Sequence, residues 1–341
     1  MKTEFGVRLP NSGPFATAEN ILDVAQRSAD LGFDSVWVHD HVSWTRDKLT
    51  HFAAGSVEVC TDQDPNLFES LTTATAVGVR VPKIKVGIAG MILTLHDPRV
   101  LGKQIAAASQ FLGDDRLVIA FGVGSIPNDF EVMGVSMTNR GRIANDHIRA
   151  LRAVLGDAER VEFTSKTLTF KNGSFFPKPR RVSLWVAGGS DAARKRAAKY
   201  GDGWLVSPNG FPHEDEFKIG EYAAAVEQLR GFLRDEGRDP ETFPLAIEIF
   251  VTVGRTNEDA LAIASHTLEH RFKSVKRGLK ETIVGDAKTF IERIREFHDI
   301  GVRRFEVKFI CHDTAQMAEM MSRVSEAVAK SDLGSGALAS R

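Results

Sequence analysis

The stretch Leu31-Gly32-Phe33-Asp34-Ser35-Val36-Trp37-Val38-His39-Asp40-His41 carries the end of one element, the whole of a second and the start of a site. An amphipathic helical pattern, Glu19–Leu31, runs into it. Its middle, Ser35–His39, is a short run of β-branched and apolar residues of the strand type, and polar residues follow at once. The same succession recurs along the chain. Strands are predicted at Phe5–Leu9, Ser35–His39, Lys85–Ala89, Arg116–Phe121, Ser183–Ala187, Gly203–Val206, Ala246–Thr252 and Arg303–Lys308. Helical patterns such as Phe68–Val79, Val100–Phe111, Asp191–Lys199 and Ala287–His298 lie between them.

Short strands alternating with longer helices build a parallel sheet from βαβ units. Eight such strands close into a barrel, whereas a doubly wound sheet more often has roughly five or six. The dinucleotide fingerprint of the latter is missing, since Pro10-Asn11-Ser12-Gly13 after the first strand is not GxGxxG. The expected fold is therefore α/β, a (β/α)₈ TIM barrel with insertions. With no linker rich in Pro, Gly or Ser, one domain is expected over residues 1–330, and Ser331–Arg341 reads as a disordered tail rich in Ser, Gly and Ala. Two stretches exceed a minimal barrel. Arg160–Phe176 reads as a β-hairpin, and the basic segment His266–Lys280, between the last two strands, reads as an insertion.

Composition narrows the function class. The 341 residues are 43% hydrophobic and 26% charged, with 44 basic and 45 acidic residues well mixed along the chain. That balance argues against nucleic acid or an anionic membrane as partner. Cys60 and Cys311 are the two cysteines, far apart, which excludes a disulfide framework and a thiolate zinc site. With no signal-peptide pattern and no long apolar run, a cytoplasmic location is expected.

Barrel active sites form at the C-terminal ends of the strands. The residues found there are His39-Asp40-His41 with Trp44, Gly90-Met91, Gly122-Val123-Gly124-Ser125, Gly188-Gly189-Ser190, and Ser207. Gly188 and Gly189 permit close backbone approach of a ligand, and the following helix offers N–H groups and a positive dipole end, so the turn suits a phosphate. It equally suits a tight turn with Ser190 as N-cap. His41 has the chemistry of a proton donor or anion stabiliser. Its alternative is a histidine satisfied by Asp40 or by backbone. Trp44 is either an aromatic wall for a flat ligand or a loop plug. The His39/His41 pair raises a metal hydrolase, but the fifth and sixth strands end in Ala-Gly-Gly-Ser and Leu-Val-Ser without further ligands, so no metal site is expected.

Residues 31–41, with Asp97-Pro98-Arg99, Asp115-Arg116-Leu117, Gly122-Val123-Gly124 and Ala197-Ala198-Lys199-Tyr200-Gly201-Asp202-Gly203-Trp204, resemble the bacterial-luciferase-like flavin- and deazaflavin-dependent oxidoreductases. The resemblance implies a barrel with the ring of FMN or of the deazaflavin coenzyme F420 across the strand ends. It implies a bulge with a non-proline cis peptide at Ala89–Gly90, and phosphate binding by Gly188, Gly189 and Ser190 with help from Ser207. It further implies that Ser125 lies near the cofactor and His41 at the reactive edge; on the open face of the ring, Trp44 is expected to bound the substrate. One departure is clear. Where sugar-phosphate dehydrogenases of the family carry a glutamate, this chain has Ile126-Pro127-Asn128-Asp129, and Asp129 or Glu131 would substitute only with the loop displaced.

The expected reaction is hydride transfer between F420 and a small organic substrate, His41 moving the compensating proton. The alternatives are an FMN-dependent monooxygenase served by a separate flavin reductase, and a non-catalytic flavin-binding protein. The family implies a homodimer.

Overall fold

The computed structural model describes residues 2–44, 65–208 and 218–333. The chain begins with β1 (Glu4–Arg8), α1 (Ala18–Asp30), β2 (Ser35–Val38), α2 (Ser70–Arg80), β3 (Lys85–Ile92), α3 (Pro98–Leu112) and β4 (Leu117–Gly122). Next come α4 (Pro127–Val132), α5 (Arg140–Leu155), a hairpin of β5 (Val161–Thr164) and β6 (Thr169–Gly173), β7 (Val182–Ala187), α6 (Asp191–Tyr200) and β8 (Trp204–Val206). The last part holds α7 (Ile219–Asp235), β9 (Leu245–Val253), α8 (Asn257–Phe272), α9 (Val275–Glu281), β10 (Ile283–Gly285), α10 (Ala287–Asp299), β11 (Arg304–Phe309) and α11 (Thr314–Ala329).

The order β9-β11-β1-β2-β3-β4-β7-β8 is parallel throughout, and β8 pairs back to β9, closing an eight-stranded barrel. All eight predicted strands are in it, and the predicted hairpin is β5–β6. Helix starts follow from capping: Thr17, Asp97, Ser190, Thr256, Asp286 and Asp313 each accept a first-turn N–H. No helix among the described residues is long and apolar enough to cross a membrane.

Alternation along the strands divides the interior in two. Outward residues such as Phe5, Val7, Val36, Ile88, Ile119, Val186, Ile247 and Val307 are buried against the helices and form the main core. Inward residues Trp37, Ala89, Val118, Ala120, Trp185, Leu205 and Ala246 fill the barrel itself. Two indoles, Trp37 and Trp185, lie 5.9 Å apart at the waist. They fit because neighbouring inward positions have no side chain: a Cβ on Gly6 or Gly87 would collide with Trp37, and one on Gly203 with Trp185. Below the indoles a cavity of about 260 Å³ opens at the N-terminal mouth, rimmed by Glu4, Lys85 and Arg304. Lys85 Nζ lies 3.1 Å from Glu4 Oε1 and Arg304 Nε 3.1 Å from Glu4 Oε2.

Two boundaries differ from expectation. The insertion is longer than His266–Lys280: it comprises α8, α9 and β10, and β10 extends the sheet beside β9 residues Val251–Val253. Its first half escaped notice because α8 is only weakly amphipathic, with burial shared between Phe250, Ile310 and α9. At the other end, Ser331–Leu333 does not belong to a disordered tail. Ser331 Oγ donates to the Val328 carbonyl, and Leu333 is buried in the core. Residues 334–341 lie outside the described residues, as does Cys60.

Overpacking the waist tests this arrangement. Gly87→Ala is expected to lower the unfolding free energy by about 1–3 kcal/mol in denaturant titration. Gly220→Ala, in α7 with nothing within 4 Å of the new methyl, is expected to leave it unchanged or slightly raised. Equal behaviour of the two variants would show that the indoles have room to spare.

Candidate active site

The end of β2 sets consecutive residues to opposite sides. His39 shares the inward face of Trp37; Asp40 points outward. The His39 backbone N–H donates to Asn11 Oδ1 (3.2 Å), and its carbonyl accepts from Asn11 Nδ2 (3.0 Å). Its ring is buried, stacked at 5.2 Å on Trp44, and its Nε2 has no partner among the described residues. Burial, and then the charges of Arg8, His41 and Lys308, hold its pKa well below 6.5, so it is neutral.

Asp40 is a pin. Ser70 Oγ donates to its Oδ1 at 2.8 Å, while the Ile92 N–H (2.9 Å) and His96 Nε2 (2.9 Å) reach Oδ2, tying β2, α2 and the end of β3 together. It does not satisfy His41. Instead His41 Nδ1 lies 2.8 Å from Oδ2 of Asp129, a fully buried residue of α4. Asp129 Oδ1 also accepts the N–H groups of Val42 (2.9 Å) and Ser43 (3.3 Å), and Asn128 Nδ2 donates to the Ser43 carbonyl (2.9 Å). Pro127 opens this short helix, so no displaced loop is needed to bring a carboxylate to the site. The Trp44 ring lies 4.7 Å from His41. A carboxylate is acceptor only, so His41 carries its proton on Nδ1. Its Nε2 has no hydrogen-bond partner among the described residues and is the nitrogen left for a ligand.

At the same mouth, β3, β4 and β7 end side by side in residues without side chains beyond Cβ. Gly90, Gly122, Ala187 and Gly188 are all partly exposed there. The Ala89–Gly90 peptide is cis, at a register shift between Ala89 and Met91, as the resemblance implied. A Cβ on Gly122 would meet nothing closer than 3.9 Å, so the wall borders open space. Gly188 has φ +130°, which L side chains rarely adopt. Its carbonyl accepts from Trp204 Nε1 at 2.8 Å, and the Gly189 carbonyl from Arg194 Nη1 at 2.6 Å. Ser190 Oγ accepts the Ala193 N–H at 3.2 Å, so the capping reading of this turn holds geometrically. Ser125 stands exposed two residues beyond Val123, and Ser207 continues the inward face of Leu205 beyond β8. His41, Trp44, Ala89, Gly90, Ser125, Gly188, Gly189, Ser190 and Ser207 thus all follow or end barrel strands at the same mouth.

Sequence reading passed over a buried ionic cluster just inside that mouth. Arg8, Glu248, Glu306 and Lys308 occupy inward positions of β1, β9 and β11. Arg8 Nη2 donates to Glu248 Oε2 (2.8 Å) and to the Ala89 carbonyl (2.8 Å), Arg8 Nε donates to Glu306 Oε1 (2.5 Å), and Lys308 Nζ lies 2.6 Å from Glu248 Oε1. Burial pushes Lys308 down to about 8. Burial also raises Glu306, whereas for Glu248 the charges of Lys308 and Arg8 outweigh burial and lower it. Charged residues at alternate positions of apolar strands were the available signal. From the insertion, Arg271 stacks over Phe250 at 4.6 Å, beside Lys308 Nζ at 5.1 Å. No group of three or more potential metal ligands is found among the described residues.

A flat heteroaromatic ring fits these features. The glycine and alanine wall admits a planar face, and His39 Nε2 is a buried polar atom without a partner among the described residues. Known proteins bear on this. Residues 2–304 match the family of luciferase-like monooxygenases. An F420-dependent glucose-6-phosphate dehydrogenase of Amycolatopsis mediterranei (strain U-32) is 23% identical over 193 residues, 55% of this chain and 53% of that protein. The solved structure of an F420-dependent secondary alcohol dehydrogenase with an F420-acetone adduct superposes with a TM-score of 0.79 at 19% identity, covering 96% of this chain and 99% of that one. The oxygenating constituent of 3,6-diketocamphane monooxygenase of Pseudomonas putida, in complex with FMN, gives 0.70 at 15% identity, covering 96% and 98%. At these identities the structures establish the shared fold.

The Asp40 pin predicts a pH-dependent stability. Burial disfavours the charged form of His96, but the hydrogen bond and charge of Asp40 outweigh it and raise its pKa above the ordinary 6.5. A folded-state pKa above the unfolded one contributes stability in full below about pH 6.5, and that contribution is lost as pH rises through the folded value. His96→Ala is therefore expected to lower stability by about 1–3 kcal/mol near pH 5.5 and by less at pH 8.5. A gap between wild type and variant that stayed constant, or widened with pH, would contradict the assignment.

Proposed function

The chain belongs to the family of luciferase-like monooxygenases, and from that membership we propose that it transfers hydride between coenzyme F420 and a small organic carbonyl or alcohol. The observation that carries this reading is the His41–Asp129 pair at the same barrel mouth as a wall of minimal side chains. The F420-dependent relatives support the same choice.

F420, when bound, supplies or takes up the hydride. The remaining work falls to the chain's own groups. Gly90, Gly122 and Ala187 offer the face for the ring, and the turn Gly188-Gly189-Ser190 holds the phosphate arm at the start of α6, with Ser125 and Ser207 flanking it. Asp129 fixes the tautomer of His41 and the orientation of its ring, much as the third member of a catalytic triad orients its histidine. As imidazolium, its Nδ1–H held by the Asp129 carboxylate, His41 gives the Nε2 proton to a developing alkoxide and is left neutral; in the reverse direction the neutral ring takes a proton from an alcohol at Nε2 and becomes imidazolium. Trp44 closes one side of the substrate space and limits access of water. The second reading is an FMN-dependent monooxygenase served by a separate reductase; the FMN-bound neighbour favours it. Both readings place the chain among soluble partners of small molecules, and a homodimer in the cytoplasm is the assembly we infer from the family.

Fluorescence titration of the apo-protein with F420 and FMN, oxidised and reduced, separates the two. Selective binding of F420 supports hydride transfer, selective binding of reduced FMN supports the monooxygenase, and binding of neither sinks both. His41→Ala is expected to keep cofactor affinity within a few-fold while kcat falls by about 10²–10⁴-fold. Asp129→Asn, which cannot accept the Nδ1 proton in the same way, is expected to lose much of that factor as well. Lost affinity with intact turnover at saturating cofactor would overturn the role of His41.

A further inference from the structure

The strongest feature outside the rim is the ionic cluster in the barrel axis, because one of its members touches the wall. Arg8 Nη2 donates to the carbonyl of Ala89 at 2.8 Å, across 81 positions of sequence, where the β3–β4 register shifts. Arg8 is 5% exposed, and two carboxylates hold it on the side away from β3: Glu306 on the neighbouring strand β11 and Glu248 on β9 beyond it. A guanidinium presents its donors in a rigid planar fork, so anchoring one edge fixes where the other edge points. Lys308, held by Glu248 at 2.6 Å, is the second cation of the cluster, but it makes no hydrogen bond to the wall.

We propose that Arg8 is a positioning residue: braced by Glu248 and Glu306, it holds the Ala89 carbonyl and thereby the β3 end against which the cofactor ring rests. It acts through the backbone of β3, while His41 acts on the substrate. The inference rests on the cofactor reading above. Two further observations suit it. The wall itself has no side chains with which to stiffen its own backbone. The cluster also pairs cations and carboxylates across β1, β9 and β11, so the brace stands on three strands and not on a mobile loop.

The competing account is that Arg8 only neutralises two buried carboxylates. Arg8→Met alone does not separate the two, since uncompensated Glu306 would destabilise the fold. The variant that does is the double substitution Arg8→Met with Glu306→Gln. Lys308 still pairs with Glu248, charge remains balanced, and the donor to Ala89 is gone. Thermal unfolding and fluorescence titration with F420 and FMN are measured on wild type, Glu306→Gln, Arg8→Lys and the double variant. Glu306→Gln is expected to bind like wild type, since its amide oxygen still accepts from Arg8. The double variant is expected to melt near wild type yet to bind about 10- to 100-fold more weakly. Arg8→Lys, which keeps the charge but loses the fork, is expected to fold and to bind more weakly too. Wild-type affinity in either the double variant or Arg8→Lys would overturn the proposal, and if the double variant fails to fold, Arg8→Lys decides alone. Wild type that binds neither cofactor would sink the cofactor reading and this inference with it, whereas tight binding unaffected by the substitutions would sink this inference alone.

Discussion

Everything in this molecule depends on how a closed ring of eight strands fills its inside. Alternation forces every second residue of each strand into a space too narrow for eight ordinary side chains per layer. The chain resolves this at the waist with two large residues and several absent ones: Trp37 and Trp185 occupy the volume that Gly6, Gly87 and Gly203 leave. Above the waist the solution changes. On the β3, β4 and β7 side the inward positions stay small, and on the β9, β11 and β1 side they carry paired charges. One half of the mouth is therefore a flat, open wall, and the other a rigid polar support.

The same alternation explains why adjacent residues of β2's exit do unrelated work. His39 faces the axis and stays neutral; Asp40 turns outward and bonds Ser70, Ile92 and His96; His41 lies past the strand and meets Asp129. A three-residue signature thus divides into a packed ring, a structural pin and an imidazole held at Nδ1 by Asp129.

Much of this was legible in the sequence. The strands could be read because short β-branched and apolar runs recur between helical patterns, and the cis peptide position followed from resemblance. Several motif residues that carry the resemblance prove to be structural. Asp97 caps α3 over Pro98, Arg116 donates to the carbonyls of Gly78, Val81, Ile84 and Leu112, and Asp202 accepts from the Leu184 N–H and from Arg152. What could not be read was pairing across long separations. Arg8 meets Glu306 across 298 positions and His41 meets Asp129 across 88, and nothing local to either residue encodes the partner. The α8 boundary was missed for a different reason: its buried face carries the small Ala260 and Ala264 and the polar Thr267 while Leu261 is exposed, which flattens the hydrophobic contrast by which helices are recognised.

The two indoles at the waist have one more consequence. With Trp37 and Trp185 filling the axis, the barrel is a vessel with a floor, and the space under the floor opens only to the opposite mouth. In the proposed function, a cofactor ring against the wall of Gly90, Gly122 and Ala187 and the substrate that meets it would share the mouth above that floor. A floor of this kind leaves them no passage along the barrel axis, so the inner of the two would arrive first and depart last.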